Sequence, residues 1–350
     1  MRRLWLLTAT LLITASVRGE EPAEMVAIVT PRSDGIMAVD INEGGGIIGF
    51  QWVEEPDAPG VIGQKPFFAK GETITYLPLL EGYTATFPAA LSDDGLVVGR
   101  ATKPVQPGRH VPLQSQAFVW DAKSGIRGLG VLGADNGSFA TGISRDGKRI
   151  SGGSIGDDKV SPCLWERDGE NWKATALPHE ARLGSNVLAI SGDGRHLAAV
   201  DGANACLWSR DDSGQWNRET IAEARLLVPR AVNDNGMVVG IRYTPDGLVH
   251  AVVWTREDGV RLLDKPPGFV RSEALDVNNS GVVVGSLDGP NGSPIGPNGF
   301  AFSVGKLRVL TQDKLPFTGA TAINDRGQVV GNVEQDEDEP APDDGKPAAR

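Results

Sequence analysis

The chain is poor in the residues that usually carry chemistry. Among 350 residues it has two cysteines, four histidines, three tyrosines and four methionines. Two cysteines cannot build a disulfide framework, and without a CxxC pair there is no signal for a zinc ribbon or a thioredoxin-like site. His110, His179, His196 and His250 are not paired at metal-ligand spacing, and HExxH, GxSxG and the phosphate-binding glycine loop are all missing. Basic residues are outnumbered, 34 Lys and Arg against 45 Asp and Glu, which argues against general nucleic-acid binding. Beyond the N-terminus no stretch reaches the ~18 apolar residues of a membrane helix. Glycine, in contrast, is abundant: 45 Gly beside 23 Pro. That is too much for a mainly helical protein, yet Gly and Pro together stay below the level of low-complexity disorder. The apolar fraction of 40% suffices for a core. A turn-rich, all-β protein remains.

The two ends differ from the middle. Arg2 and Arg3, the apolar run Leu4 to Ile13 and the small residues Val17 and Gly19 make residues 1–19 read as a secretory signal cleaved before Glu20. The expected location is therefore secreted, periplasmic or extracellular, with no membrane insertion. Residues 334–350 hold seven acids, two bases and nothing apolar larger than Ala and Pro. Such a segment cannot offset its own ordering entropy and reads as a disordered acidic tail. With the ends set aside, residues 20–333 carry a net charge of −9 out of the whole chain's −11.

Everything between the ends is one repeat, present seven times, with central glycines at 45, 95, 147, 194, 236, 281 and 327. The clean form is Val232-Asn233-Asp234-Asn235-Gly236 leading to Gly240; the copies at Ser144 and Ser191 are degenerate. Asn, Ser and Asp start a turn by bonding their own backbone, and Gly supplies the positive φ that closes it. The Val-Val or Ile-Ile run that follows is apolar at consecutive positions, so its strand is expected to be buried on both faces. A second element follows most copies, as in Gln116-Ala117-Phe118-Val119-Trp120 and His250-Ala251-Val252-Val253-Trp254, then a polar turn and a further apolar segment. Four short strands in about 47 residues, in tandem, are the signature of a β-propeller blade. The expected fold is a propeller of seven blades of about four strands, with six blades as the alternative. The seventh copy stops near Val333, so Met25–Thr30 is expected to join the last blade.

The pairing of AxxINDxGxVVG with HAFxW resembles the HAF repeat, a family of extracellular bacterial repeat proteins named for His-Ala-Phe. His250-Ala251 stands closest to the name-giving triplet, with Val252 in place of Phe. The resemblance spans about residues 25–333 and weakens in the third and fourth repeats. It implies a secreted, propeller-like protein and no general catalytic activity.

Cys163 and Cys206 occupy the position of Phe118 in neighbouring repeats. Blade spacing of about 10 Å exceeds the ~7 Å reach of a disulfide, so buried free thiols are favoured over a bridge. Asp276-x-Asn278-x-Ser280-Gly281 resembles the start of a calcium loop, but Leu287 stands where the bidentate Glu is needed. No metal, cofactor or catalytic set is expected. Function in a repeat scaffold sits where the repeats differ. The links from second to third strand are long at Phe50–Lys65, Arg100–Ser115 and Ser286–Gly299. They offer Trp52, Arg100, Lys103, Arg109 and His110 as candidate binding residues for an acidic or glycan partner. The expected role is a monomeric binding or scaffold module with a protein or glycan ligand. A polysaccharide-acting enzyme and a purely structural surface protein are the alternatives. A deep axial pocket with converging, pKa-perturbed groups would favour the enzyme.

Overall fold

The computed structural model describes residues 35–54, 62–71, 73–103, 114–157, 159–179, 185–223, 226–245, 247–290, 297–312 and 315–333. The signal-like segment, Met25–Thr30, the tail, Arg109 and His110 lie outside the described residues.

The described residues form strands and turns, with no helix among them. The first sheet is β1 (Ile36–Ile41), β2 (Gly46–Glu54), β3 (Ile62–Lys70) and β4 (Thr73–Tyr76). The second is β5 (Ala85–Leu91), β6 (Val97–Thr102), β7 (Ser115–Asp121) and β8 (Gly125–Gly128). The third is β9 (Gly137–Ile143), β10 (Arg149–Ile155), β11 (Val160–Asp168) and β12 (Asn171–Ala176). The fourth is β13 (Ser185–Ile190), β14 (His196–Asp201), β15 (Asn204–Arg210) and β16 (Trp216–Glu223). The fifth is β17 (Val228–Val232), β18 (Val238–Tyr243), β19 (Val249–Thr255) and β20 (Gly259–Leu262). The sixth is β21 (Arg271–Val277), β22 (Val283–Asp288), β23 (Asn298–Ser303) and β24 (Lys306–Val309). The last sheet has three strands, β25 (Thr311–Gln312), β26 (Leu315–Ile323) and β27 (Val329–Val333).

The expectation of seven blades of about four strands is thus corrected. Six blades are complete, as in the alternative count, and the seventh repeat supplies a smaller sheet because the repeat ends after its first hairpin. That sheet fills the sector between the sixth blade and the first. Val284 of β22 packs with Val329 of β27, and Ile47 of β2 packs with Val330 of β27.

The doublets of the second strands explain the packing. Val97 faces the first blade and Val98 the third; Val238 faces the fourth and Val239 the sixth. Each blade therefore buries both faces against its neighbours, and the core is divided among the seams between sheets. All seven turn glycines have positive φ, from 65° at Gly147 to 88° at Gly95.

A second set of glycines answers a different need. Each innermost strand slips register by one residue just before its turn, as between Ala38 and Asp40 or Ala274 and Asp276. This bulge pushes a carbonyl toward the second strand. A Cβ on Gly99 would lie 2.0 Å from the Phe87 oxygen, and one on Gly285 would lie 1.8 Å from the Glu273 oxygen. The turns of the third and fourth blades are one residue longer: Ser144 N–H donates to Arg149 and Ser191 N–H to His196, whereas Asn42 N–H donates to Gly46. The residue equivalent to Gly49 in the third blade is therefore Gly152, 2.0 Å from the Phe139 oxygen by the same construction. In the fourth blade it is Ala199.

Cys163 and Cys206 are both free and buried. Burial pushes the Cys163 thiol up to about 12. A bulky thiol reagent is expected to label neither cysteine in the folded protein and both after unfolding without reductant. Fewer than two labelled thiols in the unfolded chain would contradict this.

The fourth blade also holds a buried ion pair. Arg218 Nη2 on β16 lies 2.8 Å from Asp201 Oδ2 on β14, and Ser185 Oγ donates to Asp201 Oδ1 at 2.5 Å. The Asp201 side chain is 0% exposed.

Candidate axial site

The turns after the innermost strands meet around the axis, and two sets of hydrogen bonds join them, an open arc and a closed ring. The first uses the leading Asn. Asn42 Oδ1 accepts Gly46 N–H at 2.7 Å within its own turn, while its Nδ2 donates to the Ser92 carbonyl of the next blade at 2.9 Å. Asn233, Asn278 and Asn324 make the same forward bond, the last of them to Asn42 O at 3.0 Å. Serine closes its own turn, as Ser92 Oγ does with Leu96 N–H at 2.9 Å, but it is too short to reach the next blade.

The second ring uses the next residue of each turn: Glu43, Asp93, Arg145, Gly192, Asp234, Asn279 and Asp325. Glu43 N–H donates to Asp93 Oδ1, Asp93 N–H to Arg145 O and Arg145 N–H to Gly192 O. Asp193 N–H then donates to Asp234 Oδ1, Asp234 N–H to Asn279 Oδ1, Asn279 N–H to Asp325 Oδ1 and Asp325 N–H to Glu43 Oε1. The circuit is closed.

Arg145 is the cation of this acidic ring. Its guanidinium crosses Gly192 and reaches Asp234 at 2.8 Å and Asp325 at 2.6 Å, and Asn279 Nδ2 donates to the same two carboxylates. A Cβ on residue 192 would sit 2.0 Å from Arg145 Nε, so glycine leaves the path open. The bridge is about a third exposed at Arg145, so solvent screening limits its contribution to stability. Its evident effect is geometric: it spans the mouth of the axial cavity.

That cavity has a volume of about 230 Å³. The bulges line it, among them Val39, Thr141, Leu188, Arg230 and Leu275. One residue nearer the mouth stand Asp40 and Asp276, where the other sheets carry Ala90, Gly142, Ala189, Ala231 and Ala322. Asp40 accepts Ile41 N–H and Leu91 N–H, both at 2.8 Å. Asp276 accepts Val277 N–H and Ile323 N–H, both at 2.8 Å. Each thus ties its own blade to the next. Burial raises Asp40 to about 6, against the pull of its two N–H donors. Burial raises Asp276 to about 7, with the charge of Asp40 adding to the rise. Among the described residues, no three His, Cys, Asp or Glu side chains are grouped to hold a metal ion.

The residues singled out in the sequence lie elsewhere. Trp52 and Arg100 are strand residues, not loop residues, because β2 and β3 stay paired out to Glu54 and Ile62, and β6 runs to Thr102. Trp52 is 36% exposed. Arg100 lies over the Phe87 ring at 5.4 Å, and Phe87 packs on Phe50, two residues before Trp52. Lys103 lies over Tyr83 at 5.2 Å. Both described cations of the patch are therefore already stacked on aromatics of their own blade. The sequence reasoning missed Asp40 and Arg145, and weighed Asp276 only as the start of a calcium loop. Aligning the repeats two residues before the Asn/Ser position, and one after it, would have exposed all three as departures from Ala/Gly and from acid.

Neither protein-family models nor curated proteins match this chain. Solved structures do. The propeller domain of the trilobed protease from Pyrococcus furiosus has a TM-score of 0.52 at 9% identity, over 82% of this chain and 87% of that one. The acylaminoacyl peptidase of Pyrococcus horikoshii has a TM-score of 0.50 at 9% identity, over 83% of this chain and 48% of that one. TolB from Acinetobacter baumannii has a TM-score of 0.45 at 13% identity, over 78% of this chain and 62% of that one. This chain spans about half the length of the peptidase and less than two thirds of that TolB. At such identities the likeness is one of fold, and the fold is the β-propeller.

Proposed function

We propose that this chain is an exported propeller serving as a binding module of the cell envelope or extracellular space, and that its axial face takes a positively charged group of a protein ligand. The observation that carries the reading is Arg145, a guanidinium already held between Asp234 and Asp325 at the mouth of a cavity walled by further carboxylates. A partner's cation that displaced it would meet the same donors and acceptors. The signal-like residues 1–19 support export, and no described helix is long and apolar enough to cross a membrane.

Residues 20–350 titrated with an oligoarginine peptide at low salt are expected to bind it, and Asp234→Asn with Asp325→Asn to weaken that binding at least tenfold. Equal binding by wild type and double variant would sink the axial reading. The rim patch of Trp52, Arg100, Lys103, Arg109 and His110 remains a second reading, for an acidic or glycan partner, favoured by the exposure of Trp52. Polygalacturonate is its probe, with Arg100→Ala, Lys103→Ala and Arg109→Ala as the variant. The raised carboxylates Asp40 and Asp276 meet the condition that favours an enzyme. Both oxygens of each are engaged by backbone N–H groups, however, which is the geometry of a tie between blades.

A further inference from the structure

Arg145 departs from its ring in both charge and length: the equivalent residues of the other turns are Glu43, Asp93, Gly192, Asp234, Asn279 and Asp325. The place its guanidinium fills is built without it. Asp234 Oδ1 accepts Asp193 N–H at 2.8 Å, and Asp325 Oδ1 accepts Asn279 N–H at 2.7 Å, so the backbone fixes one oxygen of each carboxylate. Asn279 Nδ2 donates to the other oxygen of both, at 2.6 Å and 2.8 Å. The two Oδ2 atoms are thereby set as a pair. Arg145 lays Nη2 on the first and Nη1 on the second. A planar guanidinium has two donors spaced to meet two carboxylates at once, whereas an ammonium is a point charge.

We propose that the Asp234–Asp325 pair is a guanidinium receptor for an arginine of a protein partner, and that Arg145 is a tethered stand-in that closes the receptor until the partner displaces it. The circuit of turns does not need the Arg145 side chain. Its backbone N–H donates to Gly192 O, and its carbonyl accepts Asp93 N–H. The side chain runs over a glycine and is about a third exposed, so it can swing into solvent with both backbone bonds kept. Glu43 and Asp93 complete an acidic mouth, which suits an arginine within a basic segment. A site closed by its own ligand about nine-tenths of the time binds an outside one about tenfold more weakly. All this rests on the axial reading above and narrows it, from any cation to a guanidinium whose affinity is set by competition with Arg145.

Octaarginine and octalysine carry the same charge on different head groups, so residues 20–350 are titrated with each at low salt. Arg145→Ala is expected to bind octaarginine about tenfold more tightly than wild type does, and octalysine with a much smaller gain. Arg195→Ala is the charge-matched control: it removes a cation from the turn of the fourth blade, where Arg195 pairs with Asp212 outside the receptor. A gain for octaarginine no larger in Arg145→Ala than in Arg195→Ala would overturn the stand-in. The preference of Arg145→Ala for octaarginine is expected to vanish when Asp234→Asn and Asp325→Asn are added; an undiminished preference would overturn the receptor. If Arg145→Ala fails to fold, Arg145→Lys decides, since it keeps the charge and loses the fork: tighter octaarginine binding supports the stand-in, and unchanged binding refutes it. The two readings fail separately. Wild-type binding that ignores Asp234→Asn with Asp325→Asn sinks the axial reading and the receptor together, whereas weakened binding there with no gain in Arg145→Ala sinks the stand-in alone.

Discussion

Alanine at Gly285 is expected to destabilise the protein by about 3 kcal/mol, the upper part of the range for overpacking a tight interior. The obstacle is backbone. The added Cβ would lie 1.8 Å from the Glu273 carbonyl oxygen, and that oxygen is fixed by the bulge between Ala274 and Asp276. No rotamer change relieves such a contact; β21 or β22 must move. Gly259→Ala is the matched control. Its Cβ would meet nothing within 4 Å, and only its φ of 66° opposes the change, at about 1 kcal/mol. Thermal melts of the two variants should therefore separate by several degrees, Gly285→Ala melting lower. The fourth blade provides a natural counterexample, because Ala199 fills the equivalent place. A loss at Gly285→Ala no larger than at Gly259→Ala would mean that the sixth blade can open its bulge as the fourth does.

Asp201→Ala is expected to cost about 3–5 kcal/mol, the usual penalty for breaking a buried ion pair by removing one partner. The variant leaves the Arg218 guanidinium, whose side chain is 13% exposed, without the carboxylate 2.8 Å away. It also removes the acceptor of the Ser185 hydroxyl. The paired change Asp201→Ala with Arg218→Met should recover much of the loss, because both members of the buried pair are then removed together. Urea unfolding of the two variants checks this. A double variant no more stable than Asp201→Ala would show that the penalty lies in packing around β14 and β16 and not in the broken ion pair.

Much of this architecture was written in the repeat. Asn/Ser-Asp-x-Gly announced turns, and Gly45 to Gly327 have the required positive φ. Val97-Val98 announced a strand buried on both faces, and its two residues do enter different seams. The errors arose where local spacing was taken as three-dimensional equivalence. One extra residue in the Ser144 and Ser191 turns puts the close-approach position at Gly152 and Ala199, one residue later than a uniform repeat spacing gives. Phe50–Glu54 alternates between apolar and polar only as far as Trp52, after which Val53 breaks the pattern, so it reads equally as link or strand; pairing with β3 decides for strand. The axial acids were invisible for a simpler reason. Each stands at a variable position of its own repeat, the second x of AxxINDxGxVVG, and their convergence requires the segments of chain to be brought round one axis.

The circuit of turn N–H groups has a direction. Every donor lies in one sheet and its acceptor in the next sheet along the chain, and the final donor, Asp325, returns to Glu43. The bonds follow one another in a single sense, so the circuit has no first member. Such a ring does not register where the polypeptide begins. A circularly permuted chain opened between two complete blades would rebuild the same circuit in the same rotational sense, whereas loss or gain of one whole repeat would leave a donor facing an acceptor set for a different radius.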